Sequence, residues 1–395
     1  MTKKIAYLGT AGHVPDPDRF DNVSLLRAVG ANSGNLMFQL AADRILGGEH
    51  HHLGFATGAY GDARVRRNLD FFVFPAANML RADADWSDLV GFFKTIKAPL
   101  IILGLGAQAK TDADPEKVAR QVGKNRTVAD LVTLLKERAA LITVRGPFTE
   151  AVCHHLGLDQ VVRTGCPSQF LNPDSNLGQS LREQLEAGRE GPIATTGNAP
   201  NEIEGWKAEL ESKLFGWTAA TGGTYVQQSC ETWIFDGPEG RLSEMDEGGY
   251  NYLRIKLDAH SKIDNFDEAL RSSFRIFFSA PEWIEDVGRH RAAIGTRIHG
   301  NMAALAAGRP GILIAHDARV TELAEEMEVP RVSFEAVRDS ESFDDLLPQV
   351  AFDATRFDEG RRQRAKLLVD HLDALELPPS KHLLALAKPR QAEDV

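Results

Sequence analysis

Cysteine is scarce: Cys153, Cys166 and Cys230 are the only three in 395 residues. An odd number without a CxxC pair argues against a disulfide framework and a structural zinc site, and fits a reducing compartment. Long apolar runs are missing as well. The longest, 99–107, holds two glycines, and a bilayer-spanning helix needs about 20 residues. Met1, Lys3 and Lys4 lead straight into a short apolar stretch and Gly9, without the long apolar core and small-residue cleavage site of a signal peptide. A cytoplasmic, unanchored protein is expected. Basic residues are outnumbered, 45 Lys and Arg against 56 Asp and Glu, for a net charge of −11. This argues against nucleic acid as a partner, because affinity for a phosphate backbone begins with a basic surface. Any anionic ligand must then be held by a few local cations.

What is present describes a globular enzyme-sized chain. Hydrophobic residues make up 43% and charged residues 26%, and this length favours two packed domains with a cleft between them. Strand-like runs at 5–8, 71–74, 100–103, 141–144 and 161–164 alternate with helical patterns such as 36–46 and 148–156. That alternation predicts an α/β fold with parallel sheets. Pro147 and Gly157 punctuate the second helix as its first turn and its end. A charged helical stretch at 181–190, then Gly191, Pro192 and a new strand at 193–196, marks a boundary. Beyond it, 275–334 reads as strand 275–279, helix 283–290, strand 292–296, helix 301–307, strand 311–315 and helix 320–327. The segment 225–249 reads as a loop-rich insertion. The expected units are 1–176, 190–345 and a helical tail, 352–395. No internal repeat or low-complexity segment is present.

Parallel sheets bind ligands beyond the carboxyl ends of their strands. This places Arg145, Arg297 and His299, with Asn78, the Gly104-Leu105-Gly106 turn, Gln108, His316 and Asp317, near a cleft. The segment from Gly295 through Thr296, Arg297, Ile298, His299 and Gly300 to Asn301 is the most informative, because a strand ends and a helix begins there. Helix starts offer unpaired N–H groups to phosphate or carboxylate. Arg297 adds a planar fork for an oxyanion, His299 can exchange a proton near neutral pH, and Gly300 lets a ligand approach the backbone. The alternative reading pairs Arg297 with a surface carboxylate and uses His299 as a helix cap. Arg145 follows a strand and precedes a helix, where a cation opposes the helix dipole unless an anion sits nearby. Asn32, Ser33, Gly34 and Asn35 open helix 36–46 either as a phosphate or hydroxyl cradle or as plain turn and cap residues. The Gly104 to Ala109 segment matches G-x-G-x-x-A without the apolar helix a dinucleotide fingerprint requires, so it is read as a strand-end loop. His50, His51 and His52 read as a solvated loop rather than a metal site, and Cys166 lacks the partners of a nucleophile. No metal is required by any pattern.

Together these segments resemble the polysaccharide pyruvyl transferase family over roughly Gly30 to Phe334. The strongest likeness runs from Ala293 to Gly300, then through Gly308-Arg309-Pro310-Gly311-Ile312 and Asp317-Ala318-Arg319. The family's Gly-Asn-x-Gly-Asp loop is similar to Ala31-Asn32-Ser33-Gly34-Asn35, with Asn35 in place of the acid. Its Arg-Asp-x-x-Ser segment corresponds to Arg145 through Thr149, with Gly146 in place of the acid. Its Gly-rich strand end corresponds to Pro75-Ala76-Ala77-Asn78, keeping only the Asn. The resemblance implies two Rossmann-like domains facing across a GT-B-like cleft. It also implies transfer of the enolpyruvyl group of phosphoenolpyruvate to a saccharide as a ketal, in exopolysaccharide or cell-surface glycan synthesis. Phosphoenolpyruvate would be held by Arg297, Arg145, Thr296 and Gly300, with His299 as acid or base and no further cofactor. The acceptor would be nucleotide-linked, lipid-linked or polymeric, and the chain is compatible with a homo-oligomer. A nucleotide-sugar glycosyltransferase and a non-catalytic sugar-phosphate binder are the competing readings.

Overall fold

The computed structural model describes residues 2–54, 68–108, 113–188, 190–260, 262–315 and 318–388. His316, Asp317 and Ala109, singled out above, and the end of the expected helical tail, 389–395, lie outside these residues.

The first sheet contains β1 (Lys4–Leu8), β2 (Glu49–Leu53), β3 (Phe71–Pro75), β4 (Asn78–Leu80), β5 (Leu100–Ala107), β6 (Ala139–Val144) and β7 (Val162–Arg163). Its order is β2-β1-β3-β5-β6-β7, with β4 beside the end of β5, and every pairing is parallel. Every residue of β3 and β5 is buried. Strands covered by helices on both faces read as continuous apolar runs, and Leu100-Ile101-Ile102-Leu103 is such a run.

The second sheet contains β8 (Ile193–Gly197), β9 (Thr224–Gln227), β12 (Phe274–Arg275), β13 (Ala292–Gly295), β14 (Gly311–Ala315) and β15 (Arg331–Ser333). A small antiparallel hairpin, β10 (Phe235–Asp236) and β11 (Arg241–Leu242), precedes β12. The order β12-β9-β8-β13-β14-β15, parallel throughout, is the doubly wound Rossmann order. The fold is thus α/β with two Rossmann-like parallel sheets.

The two units are laced together at both ends of the chain. Leu25, Leu26, Leu36 and Leu40, from the amino-terminal part, share a core with Phe215, Tyr225 and Trp283 of the second. The long helix Ala354–Ala374 and the helix Lys381–Leu386 return to the first sheet, where Leu368, Leu372, Leu383 and Leu386 pack on Ile5, Tyr7, Val73 and Ile101.

Some local expectations change. The histidine triplet is not a loop: it forms the edge strand β2, because Lys4–Leu8 offers it a parallel partner over five residue pairs. The strand expected at 275–279 stops at Arg275, since Ile276 donates its N–H to Gly240 and Phe278 accepts from Val14. The segment expected as an insertion begins within β9, contributes the hairpin and ends in the helix Glu247–Leu257.

Candidate active site

Strand order reverses between β8 and β13, and the loops beyond these two strands meet at Asn198, Thr296 and Arg297. Beneath them lies a buried polar network. Glu211, fully buried on the helix Trp206–Ala220, accepts from Asn198 N at 2.9 Å, Asn198 Nδ2 at 2.6 Å and Tyr225 Oη at 2.6 Å. Asn198 Nδ2 also donates to Thr296 Oγ1 at 2.9 Å, and Gln227 Nε2 donates to Asn198 O at 2.9 Å. Burial pushes the Glu211 carboxyl above the usual carboxylate range, although these hydrogen bonds and the Arg297 charge pull the other way. Burial, and then the neighbouring Glu211 charge, raise Tyr225 well above the ordinary tyrosine range.

Arg297 is the N-cap position of the helix Ile298–Ala306, in an extended backbone conformation, and its side chain does not cap the helix. Its Nη2 pairs with Glu202, on the short turn after β8, while its buried Nε has no hydrogen-bond partner among the described residues. The surface-carboxylate pairing weighed in the sequence is therefore present on one nitrogen only.

His299 is buried in the first turn of that helix, 8% exposed, and is not a cap. Its Nε2 lies 3.5 Å from Cys166 Sγ, and its ring stands 5.2 Å from the ring of Phe38, tilted by 54°. Phe38 belongs to the helix Asn35–Ile45 of the first unit. On the first-unit side, the Arg145 guanidinium lies 5.8 Å from the centre of the same Phe38 ring. Arg145 is 6% exposed. Its Nε donates to Gly104 O at 2.9 Å, Nη2 to Ala76 O at 3.3 Å and Nη1 to Asn78 Oδ1 at 3.4 Å. It is thus fixed across the carboxyl ends of β3 and β5. Just past it, the helix Pro147–His155 has no cap from its own N-cap residue. Instead Glu322, on the helix Ala318–Met327 of the second unit, accepts from Phe148 N at 2.6 Å and Thr149 N at 3.1 Å. Burial raises the Glu322 carboxyl above its ordinary value.

The loop ahead of Phe38 closes the other side. Ser33 N donates to Gln228 O at 2.8 Å, and Asn32 Oδ1 accepts from Gly34 N at 2.8 Å. A Cβ on Gly34 would lie 2.3 Å from Gln228 Oε1 and 3.1 Å from His299 Cβ, and one on Gly300 would lie 2.2 Å from Thr196 Cγ2 and 3.1 Å from Gln228 Nε2. The Gln228 amide therefore sits between two positions with room only for glycine. Buried polar groups are normally hydrogen-bonded, yet Ser33 Oγ, Gln228 Nε2, Arg297 Nε and Asn301 Oδ1 have no partner among the described residues. A cleft of about 500 Å³, lined in part by Asn35, Phe38, Asn78 and Gln108, opens on the first-unit side.

The sequence model of the polysaccharide pyruvyl transferase family matches residues 20–318. The chain belongs to this family, and it is a transferase. No curated protein matches it. Among solved structures it is similar to MnaA of S. aureus bound to UDP, at 11% identity over 96% of this chain and 99% of that one, with a TM-score of 0.41. It is also similar to HepE of Anabaena with UDP-glucose, at 12% identity, 95% and 100% coverage and a TM-score of 0.42. A third is the UDP-GlcNAc 2-epimerase of Methanocaldococcus jannaschii with UDP-GlcNAc and UDP, at 10% identity, 94% and 99% coverage and 0.39.

In this pyruvyl transferase family member, the residues proposed from sequence separate into groups. Thr296, Arg297, His299 and Gly300 meet Ser33 and Gly34, while Arg145, Asn78 and Gly104 lie beyond Phe38. Three readings are sharpened. Gly300 is required by close packing on Thr196, a demand the sequence did not show. Asn35 turns its amide onto Val29 O at 2.9 Å and Gly30 O at 3.4 Å, and so closes its own loop while bordering the cleft. Cys166, passed over for want of a nearby histidine in sequence, faces His299. Phe38, Glu211, Gln228 and Glu322 were not legible as site residues, since each reads as an ordinary helix or strand-end residue. The adjacent Gln227 and Gln228 at the end of an apolar strand were the one available signal.

Proposed function

We propose that this transferase moves the enolpyruvyl group of phosphoenolpyruvate onto two hydroxyls of a saccharide, as a cyclic ketal. The observation that carries this reading is the buried His299, two residues after Arg297 and packed on the Phe38 ring whose centre lies 5.8 Å from the Arg145 guanidinium of the other unit, together with four buried polar atoms nearby that no described residue partners. A small, strongly anionic donor with both phosphate and carboxylate suits such a constellation, because guanidinium groups bind both oxyanions in a fixed geometry. In this mechanism Arg297 exchanges Glu202 for a donor oxyanion through its Nε edge. Arg145 supplies the second positive field, and Ser33 Oγ and Gln228 Nε2 complete the polar shell. His299 gives a proton to the methylene carbon, which leaves C2 electrophilic. An acceptor hydroxyl adds to C2 and returns its proton to His299. Phosphate then departs with the C2–O bond electrons, and a second hydroxyl adds to C2, gives its proton to the departing phosphate and closes the ketal.

The test mixes purified protein with phosphoenolpyruvate and a panel of nucleotide-linked, lipid-linked and free saccharides, and measures phosphate release with acceptor mass. Phosphate release coupled to a pyruvylated acceptor is the expected result. Sugar transfer from a nucleotide sugar, or donor binding without any product, would overturn it.

A further inference from the structure

The histidine-rich edge strand holds a group of side chains with no part in the chemistry above. Residues two apart on a strand share a face, so His50 and His52 point together while His51 turns away to Glu49, 3.3 Å distant. From the helix Asn35–Ile45, Asp43 reaches between them. His50 Nδ1 and His52 Nε2 both lie 2.8 Å from the same Asp43 Oδ1. The three ligand atoms all fall within 4.8 Å of one another.

We propose that Asp43, His50 and His52 form a binding site for a divalent transition ion of the Zn²⁺ class. Two imidazole nitrogens and a carboxylate oxygen are a donor set such ions accept, with bonds of about 2.0–2.2 Å and tetrahedral edges of roughly 3.3 Å. Seating an ion here needs the two N···O separations to open by about half an ångström, within the reach of small side-chain rotations. The rings are already oriented. Tyr7 Oη lies 3.4 Å from His50 Nε2, and the Tyr7 ring stacks on His52 at 4.7 Å and 18°. The Tyr7 contact on His50 Nε2 leaves Nδ1 to face a metal, and the stacking holds the His52 ring in place. His50, His52 and Asp43 side chains keep 18%, 20% and 27% of their surface, which leaves a water-accessible fourth position. The bound ion ties edge strand β2 to the helix that carries Phe38 into the active site.

The test uses untagged full-length protein, stripped with chelator and titrated calorimetrically with Zn²⁺. One ion per chain with a Kd at or below the micromolar range is expected. His51→Ala should bind as the wild type does. Asp43→Asn and His52→Ala should bind at least ~10-fold more weakly, and Tyr7→Phe about 10-fold more weakly, through its outer contact. X-ray absorption of the Zn²⁺-loaded wild type supplies a readout independent of how the variants fold, and two imidazole ligands are expected. Absence of saturable one-to-one binding, loss of binding in His51→Ala equal to that in His52→Ala, or a ligand set without imidazole would overturn the site.

Discussion

The carboxylate of Glu322 fills the space into which a side chain on Gly146 would project. A Cβ on Gly146 would stand 2.6 Å from Glu322 Oε1 and 2.7 Å from its Cγ. The backbone there is extended, at φ 178°, so conformation alone does not demand glycine. The demand comes from the second unit, which sends Glu322 to cap the helix Pro147–His155 beside Arg145. The acid that the family pattern carries after the arginine is missing from the sequence, and a carboxylate from far along the chain stands beside its place.

This relationship predicts a paired effect. Gly146→Asp should destabilise the protein by about 1–3 kcal/mol through overpacking and like charge, and Glu322→Ala alone by about 1 kcal/mol through the lost cap. In the double variant the introduced carboxylate would have the space to itself, so most of the loss should be recovered. Urea unfolding of the four proteins checks this, and additive losses would count against it.

Phe38→Leu keeps much of the buried apolar volume but removes the ring that touches both His299 and Arg145. Turnover should fall by roughly 10- to 100-fold as the two groups lose their spacing, with only a small change in Tm. Steady-state phosphate release beside a melting curve measures both quantities.

His299→Ala should lower kcat by about 10² to 10⁴ if the imidazole moves the proton. Arg297→Ala should act mainly on KM for the anionic donor. Cys166→Ala, which removes the contact on His299 Nε2, should give an intermediate loss in kcat and shift its pH profile. Unchanged turnover in His299→Ala would remove it from the mechanism.

Glu211 gives a prediction for stability against pH. Its folded pKa is raised by burial, so the folded state favours the protonated form. The wild type should therefore match Glu211→Gln most closely below the ordinary glutamate range. It should lose stability relative to Glu211→Gln as pH rises from that range through the raised folded value. Chemical denaturation of both proteins at several pH values tests the sign.

The fold class was legible because secondary structure leaves a local trace. Apolar runs such as 100–103 and helix punctuation at Pro147 and Gly157 gave most of the first sheet and its crossovers. Arg297 and His299 were legible for the same reason, since a strand end followed by a helix start is a pattern in neighbouring residues. The edge strand β2 was not. Three adjacent histidines carry no strand signal of their own, and only the parallel partner Lys4–Leu8 makes the strand.

The sequence by itself determined the alternating α/β architecture, the acidic surface and the short list of cations at strand ends, because each follows from residue type and local spacing. The tertiary structure alone decided which of these meet. It put Phe38 between His299 and Arg145, Gln228 between Gly34 and Gly300, Glu322 over Gly146, and Asp43 between two histidines. Each of these joins separate elements whose approach is set by how the cores pack, and no local pattern in one segment records the side chain that another will bring to it.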